Sequence, residues 1–336
     1  MKIPSPPVLS FQNAVPRHLV HRSSIAEVFV TDVLELAEGS YLVAAQWPRW
    51  HVFYGSVADT YDSALIAETL RQATILISHA ELGVPLGTRF LLPNMGVTKI
   101  GAGKPDGLKP TDVTLSVRVS DKKSGTRGLT SFNVSAEFQV QDRQIATASA
   151  GTKIVNEATY ARLRNRGAVQ NDVAPPAGLK EAHVGSSSPR NVALTESATA
   201  GNWILRVDTT NPIYFDHALD HVPGALLIEA ARQCIRVYTG DSTLDVSSFA
   251  AAFLKIVELE GPTKVSVASL KTDRDGLTSL LIEFRNSDQE ILTLIEAVIA
   301  RQRSEDRGGA PSLSCHGGSP KDTSGSPRRS LEPARG

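Results

Sequence analysis

The sequence predicts an α+β protein made of two tandem copies of one unit, each a long helix wrapped by an antiparallel β-sheet. Three observations predict it. One apolar helical stretch set among strand-like segments occurs twice, and the two helical stretches share a charged motif at a single offset. The regions flanking and separating them are rich in chain breakers. At 336 residues, two medium cores are a better expectation than one large core.

In the first copy, residues 26–36 and 41–48 read as strands and residues 61–82 as a helix ending at Gly83, with Pro85 beyond it. Strand candidates follow at 89–100, 112–121, 130–140 and 144–155, bounded by Gly, Lys and Asp turns as in an antiparallel meander. The second copy repeats the order. Strands at 191–197 and 202–209 precede a helix over 223–240, and strands at 249–259, 264–272, 278–286 and 290–301 follow it. Glu68, Arg71 and Gln72 recur 161 positions later as Glu229, Arg232 and Gln233, which fixes the register of the duplication. A helix wrapped by such a sheet is the hotdog architecture, and because hotdogs pair through sheet edges a tandem copy can supply an internal pseudo-dimer. Composition sets the boundaries: a disordered N-terminus over 1–17, a first domain over 18–159, a linker over 160–190, a second domain over 191–302 and a disordered tail over 303–336.

Balanced charge, 35 basic against 35 acidic residues, offers nothing to attract nucleic acid or anionic lipid. No run approaches a membrane span, and the Pro-broken N-terminus lacks a signal peptide's apolar core, so a soluble cytoplasmic protein is expected. The two cysteines, Cys234 and Cys315, suit a reducing compartment, and Cys234 reads as a buried thiol. No nucleophile elbow, phosphate loop or dinucleotide fingerprint is present, and no cofactor is expected.

Glu68 and Arg71, and likewise Glu229 and Arg232, sit three residues apart on helices that are apolar nearly all round. Burying them costs several kcal/mol per ion unless they are paired or functional, so a structural pair and an acid–base pair both remain open. Ahead of the second helix, His217, His221 and Pro223-Gly224 put two histidines and a turn before the helix start. Free backbone N–H groups at Gly224 can polarise a thioester carbonyl, and His217 can orient substrate, shuttle a proton or be solvated. The spacing of His217 and His221 ahead of a Pro-Gly turn suits zinc poorly, and no metal is expected. The first copy instead carries Arg49, His51 and Tyr54 in an aromatic, basic segment that can hold a phosphate, line an acyl channel or simply pack.

Residues 21–32, 44–54, 67–87 and 215–233, in that order and spacing, resemble the A-factor synthase, or AfsA, family. The portion from His217 through Pro223-Gly224 to Glu229 and Gln233 also resembles hotdog β-hydroxyacyl-carrier-protein dehydratases. It departs from them in a shorter His-to-Pro-Gly gap and in Arg232, where they tend to carry small residues. The AfsA resemblance implies an acyltransferase that moves a β-ketoacyl group from acyl carrier protein to the primary hydroxyl of dihydroxyacetone phosphate. The ester then cyclises to a phosphorylated butenolide, on the way to a γ-butyrolactone, butenolide or furan signal that controls antibiotic production. On that reading Glu229 is the general base, and Arg232 neutralises the phosphate or the oxyanion with help from Gly224 N–H. His217 assists, Glu68 and Arg71 form a second site or a structural remnant, and Arg49, His51, Tyr54, Gln72 and Gln233 contact substrate. The second repeat is preferred because the Pro-Gly turn and His217 occur only there. A hotdog dehydratase or thioesterase, or a non-catalytic acyl-binding regulator, is the alternative.

Overall fold

The computed structural model describes residues 8–55, 60–101, 103–126, 128–164, 174–274 and 276–299. The first repeat holds β1 (Val30–Ala37), β2 (Ser40–Trp47), α1 (Ser63–Ala80), β3 (Arg89–Lys99), β4 (Thr111–Gly125), β5 (Gly128–Val140) and β6 (Arg143–Val155). Two short helices follow, α2 (Glu157–Arg164) and α3 (Glu181–Val184). The second repeat holds β7 (Leu194–Glu196), β8 (Asn202–Leu205), α4 (Gly224–Thr239), β9 (Val246–Phe253), β10 (Lys264–Thr272), β11 (Thr278–Arg285) and β12 (Ile291–Ile299).

These strands form one antiparallel sheet in the order β1-β2-β4-β5-β6-β3-β9-β12-β11-β10-β8-β7. Read inward from either edge, the order is the same. The repeats therefore meet at a pseudo-twofold axis through the β3–β9 ladder, where Asn94–Thr98 pairs with residues 252–248 and Gly96 lies opposite Ala250. This is the expected pair of tandem hotdogs. Next to the seam, Pro93 interrupts the pairing of β3 with β6, and the Asn94 side chain takes the Gly151 N–H at 2.8 Å instead. A Cβ at Gly151 would stand 2.9 Å from Asn94 Nδ2, so only glycine permits that approach.

Each helix starts and stops where its sequence dictates. Asp62 caps α1 by accepting the Ala64 N–H at 2.8 Å, while α4 opens after Pro223 and closes on Gly240 in the left-handed region. Leu65, Ile66, Leu70 and Ile77 of α1 join Leu115, Val117, Phe132 and Phe138 of the sheet in one core with Leu226, Leu227 and Ile235 of α4. Each such side chain contributes about 1.5–3 kcal/mol by leaving water. Among the described residues no helix is long and apolar enough to cross a membrane.

Several expectations change. The strand read from residue 26 begins at Val30, because the Gln72 side chain binds Glu27 O and Phe29 N and takes those backbone groups out of any ladder. The strand read to residue 259 stops at Phe253, and Val257 O instead accepts the Val222 N–H below the loop that leads into α4. The described parts of 160–190 are packed rather than free. Arg164 binds Asp220 at 2.8 Å and Glu258 at 2.8 and 2.7 Å, Leu179 N–H donates to Leu194 O, and Leu179 and Val184 enter the core. A few anchors of this kind do not register in an Arg- and Pro-rich composition. Residues 8–17 are likewise held, with Ser10 N–H on Asp32 and Val15 N–H on Val30 O. Residues 165–173 and the tail over 303–336 lie outside the described residues.

A protease site placed between residues 165 and 173 should yield two fragments that co-elute on gel filtration without denaturant, held by the β3–β9 ladder and the shared core. Separation of the fragments would show that the seam is too weak to act as a dimer interface.

Candidate active site

Both helix carboxylates are buried and are held by residues of their own repeat, and in each case an arginine that holds the carboxylate also contacts the other repeat. Gln72 and Gln233, one turn beyond Glu68 and Glu229, do the same work twice. Gln72 Oε1 accepts the Phe29 N–H at 2.9 Å, and its Nε2 donates to Glu27 O and Glu68 Oε1, each at 2.7 Å. Gln233 Oε1 accepts the Ala193 N–H at 2.8 Å, and its Nε2 donates to Asn191 O at 2.8 Å and Glu229 Oε1 at 2.9 Å. Both amides are fully buried with both N–H donors in use, so neither has a donor left for the substrate contact expected of it. They fix each carboxylate to the segment ahead of its repeat's first strand.

The carboxylates themselves differ. Glu68 accepts from Arg22 Nε at 3.1 Å and Nη2 at 2.6 Å, from Arg71 Nε at 2.9 Å and Nη2 at 3.0 Å, and from Gln72. Burial alone would push its pKa up, but Arg22 and Arg71 outweigh burial and pull it to about 2. A carboxylate so firmly ionised and so fully bonded is a weak base. Among the described residues, Glu229 accepts within hydrogen-bond distance only Arg232 Nη1 at 2.8 Å and the Gln233 amide at 2.9 Å, with Arg236 at 3.9 Å. Arg232 is shared: its Nη2 lies 3.1 Å from Oδ1 of Asp62, the cap of α1 in the other repeat. Its Nε–H has no hydrogen-bond partner among the described residues. Arg236, also buried, donates to Leu244 O and Val184 O, both at 3.1 Å.

His217 belongs with the other carboxylate. Its loop crosses to the first repeat, where Asp216 accepts the Ser24 N–H at 3.1 Å and Ile213 O accepts from Arg22 at 3.5 Å. Burial holds the His217 pKa below its ordinary value; Asp216 opposes that, and Arg71, Arg22 and Arg89 reinforce it. The expected grouping of His217 with Glu229 and Arg232 is therefore corrected. A pseudo-dimer exchanges its loops, so the loop of one repeat serves the helix of the other. With its side chain 43% exposed, His217 stands at the open side of the Glu68 network beside Arg71, whose side chain is 25% exposed.

His21 and His79 extend this cluster. His79 Nδ1–H donates to Val84 O at 2.8 Å, which leaves its Nε2 to accept from His21 Nε2–H at 2.9 Å. Burial lowers the His21 pKa to about 4, with His79, Arg71, His217 and Arg89 adding to it, so the field at His21 is positive. Such a field attracts anions.

The remaining expected contacts fall elsewhere. Arg49 is exposed and among the described residues reaches Leu108 O at 3.5 Å. His51 Nδ1 accepts the Phe53 and Tyr54 N–H groups at 3.1 Å, so its Nε2–H points to Glu27 and the ring shapes its own loop. Tyr54 is buried against Glu68 and Arg22, and burial raises its phenol well above the usual range. Gly224 is half-buried, with its Cα side against the Phe253 ring. Cys234 is buried and its thiol is pushed up to about 12. Sequence reasoning missed Arg22, Asp62, His21 and His79. Arg22 and His21 fall in a segment quoted for its family resemblance, and Asp62 has the form of a helix cap, but nothing local signals the partner of any of them. An open trough of about 730 Å³ lies over the sheet where Arg118, Ser135 and Ser149 are exposed, and none of these carboxylates lines it.

Comparison with known proteins points to one family. A family profile described as the A-factor biosynthesis hotdog domain matches residues 4–156 and 168–288. A 2-oxo-3-(phosphooxy)propyl 3-oxoalkanoate synthase of Streptomyces virginiae is 32% identical over 284 residues, covering 84% of this chain and 97% of that protein. One of the same description from Streptomyces coelicolor is 32% identical over 272 residues, covering 80% and 86%. A solved structure described as an oleoyl thioesterase of Lactobacillus plantarum superposes with a TM-score of 0.50 at 11% identity, over 77% of this chain and 95% of that one, a likeness of fold.

Two outcomes follow from the geometry. Replacing Glu68 with Gln strands the buried Arg22 guanidinium, so urea unfolding should show a loss of about 3–5 kcal/mol; a loss below 1 kcal/mol would contradict the pairing. The His21 pKa is about 4 when folded against 6.5 in the unfolded chain, so the unfolded state binds more protons between those values and stability rises with pH across that window. Acidifying from pH 7 to 4.5 should lower the unfolding temperature of the wild type more steeply than that of His21→Asn.

Proposed function

The chain belongs to the A-factor biosynthesis hotdog domain family, and from that premise we propose that it transfers a β-ketoacyl group from acyl carrier protein to the primary hydroxyl of dihydroxyacetone phosphate. The observation that carries this reading is the similarity over 97% of a relative named for the phosphooxypropyl ketoalkanoate that such a transfer makes.

Glu229 acts as the general base. It removes the proton as the acceptor oxygen attacks the thioester carbon; the C–S bond then breaks, and the carrier thiolate recovers the proton from Glu229 as it leaves. The contrast between the carboxylates supports this role, because Glu229 keeps acceptor capacity that Glu68 has given to two arginines. Arg232 serves the oxyanion rather than the phosphate. Its two terminal nitrogens already face Glu229 and Asp62, and its Nε–H, which has no partner among the described residues, suits a single carbonyl oxygen. The positive field at His21, beside Arg71 and His217, suits the acceptor's phosphate better. The product then enters γ-butyrolactone, butenolide or furan signal synthesis.

Incubating the protein with β-ketoacyl carrier protein and dihydroxyacetone phosphate should give an ester detectable by mass spectrometry. Release of free acid regardless of acceptor would point to a thioesterase instead. Glu229→Gln should lower ester formation per folded molecule by about 10²–10⁴-fold. Near-normal specific activity in that variant would remove Glu229 from the mechanism.

A further inference from the structure

Tyr214 lies in the loop ahead of α4 and is 5% exposed, yet its hydroxyl has no hydrogen-bond partner among the described residues. A buried, unbonded hydroxyl costs about 1–3 kcal/mol, so its retention calls for a reason. Its surroundings supply one. Its loop is tied to the Glu229 network, because the Asn211 side chain accepts the Ile213 N–H at 2.9 Å and donates to Asn191 Oδ1 at 3.2 Å, while Asn191 O accepts from Gln233 at 2.8 Å. The phenol accordingly senses the charges of Glu229, Arg232 and Asp62, and its ring packs edge-on against Phe53 at 5.3 Å between centroids. Arg232 Nε–H is likewise buried and without a hydrogen-bond partner among the described residues.

We propose that Tyr214 is a further catalytic residue, whose hydroxyl donates together with Arg232 Nε–H to the carbonyl oxygen of the acyl thioester. The proposal rests on the acyltransferase reading above. Two donors, one of them cationic, match an oxygen that gains negative charge as the carbonyl carbon becomes tetrahedral. Burial, reinforced by Glu229, raises the phenol well above its ordinary range, so the hydroxyl stays protonated and remains a donor. The neighbouring carboxylates give the arrangement its direction: Glu229 and Asp62 take the terminal nitrogens of Arg232 and leave the Nε edge for the substrate.

The test uses the full-length protein and a short β-ketoacyl pantetheine thioester carrying ¹³C at the thioester carbonyl. Tyr214→Phe should cut ester formation per folded molecule by about 10²–10³-fold, the cost typical of losing one oxyanion donor. Its unfolding temperature should hold or rise, because the lost hydroxyl had nothing to bond. Bound to wild type, the labelled carbonyl should absorb at lower infrared frequency than in solution, and Tyr214→Phe should return it part of the way. A folded variant with full activity, or one with a clearly lower unfolding temperature, would overturn the proposal. Should that variant fail to fold, Tyr214→3-fluorotyrosine keeps the shape with a stronger donor, and a carbonyl band that does not move further would overturn it equally. The infrared reading needs no acceptor. A wild type that makes no ester but shifts the carbonyl would sink the acyltransferase reading while leaving Tyr214 on the thioester.

Discussion

Keeping a carboxylate charged inside an apolar helix is the constraint around which this molecule is arranged. Glu68 and Glu229 lie in helices whose buried residues are mostly aliphatic or small, where an unpaired ion would cost several kcal/mol. Both repeats meet part of that cost alike, with a glutamine one turn on that ties the carboxylate to the chain ahead of the first strand. They meet the rest differently. Arg22 and Arg71 saturate Glu68, whereas Glu229 holds half of an arginine whose other half belongs to Asp62. Duplication conserved the problem and left the two solutions free to diverge.

The β3–β9 seam makes that divergence useful. Joining the repeats edge to edge brings the cap of α1 to Arg232 and the loop ahead of α4 to Arg22, so neither charged cluster is complete within one repeat. The cross-pairing ties one cluster into an Asp62–Arg232–Glu229 chain and opens the other at Arg71 and His217. One fold thereby presents a dry carboxylate with spare acceptor sites and a wetter, positive patch.

Much of this was legible in the sequence. The fixed offset between Glu68-Arg71-Gln72 and Glu229-Arg232-Gln233 revealed the duplication, and apolar periodicity set the helices because their burial depends on local pattern. Partnerships between distant segments were not legible. His217 reads beside Glu229 along the chain but stands beside Arg71 in space, and Asp62 reads as a helix cap with no hint that Arg232 also uses it. Gln72 and Gln233 looked like polar substrate contacts because sequence shows a donor and an acceptor but not whether backbone has already claimed them. The segment around Arg164 misled for the related reason that composition counts residues and not the ion pairs they find.

The central claim is that two equivalent carboxylates have parted, Glu229 to chemistry and Glu68 to structure. Chemical rescue tests it most directly. In Glu229→Ala, added formate should restore ester formation in proportion to its concentration, because a small carboxylate can occupy the vacated position and take the proton. In Glu68→Ala, formate should leave the rate per folded molecule unchanged. Rescue confined to Glu68→Ala would contradict the account.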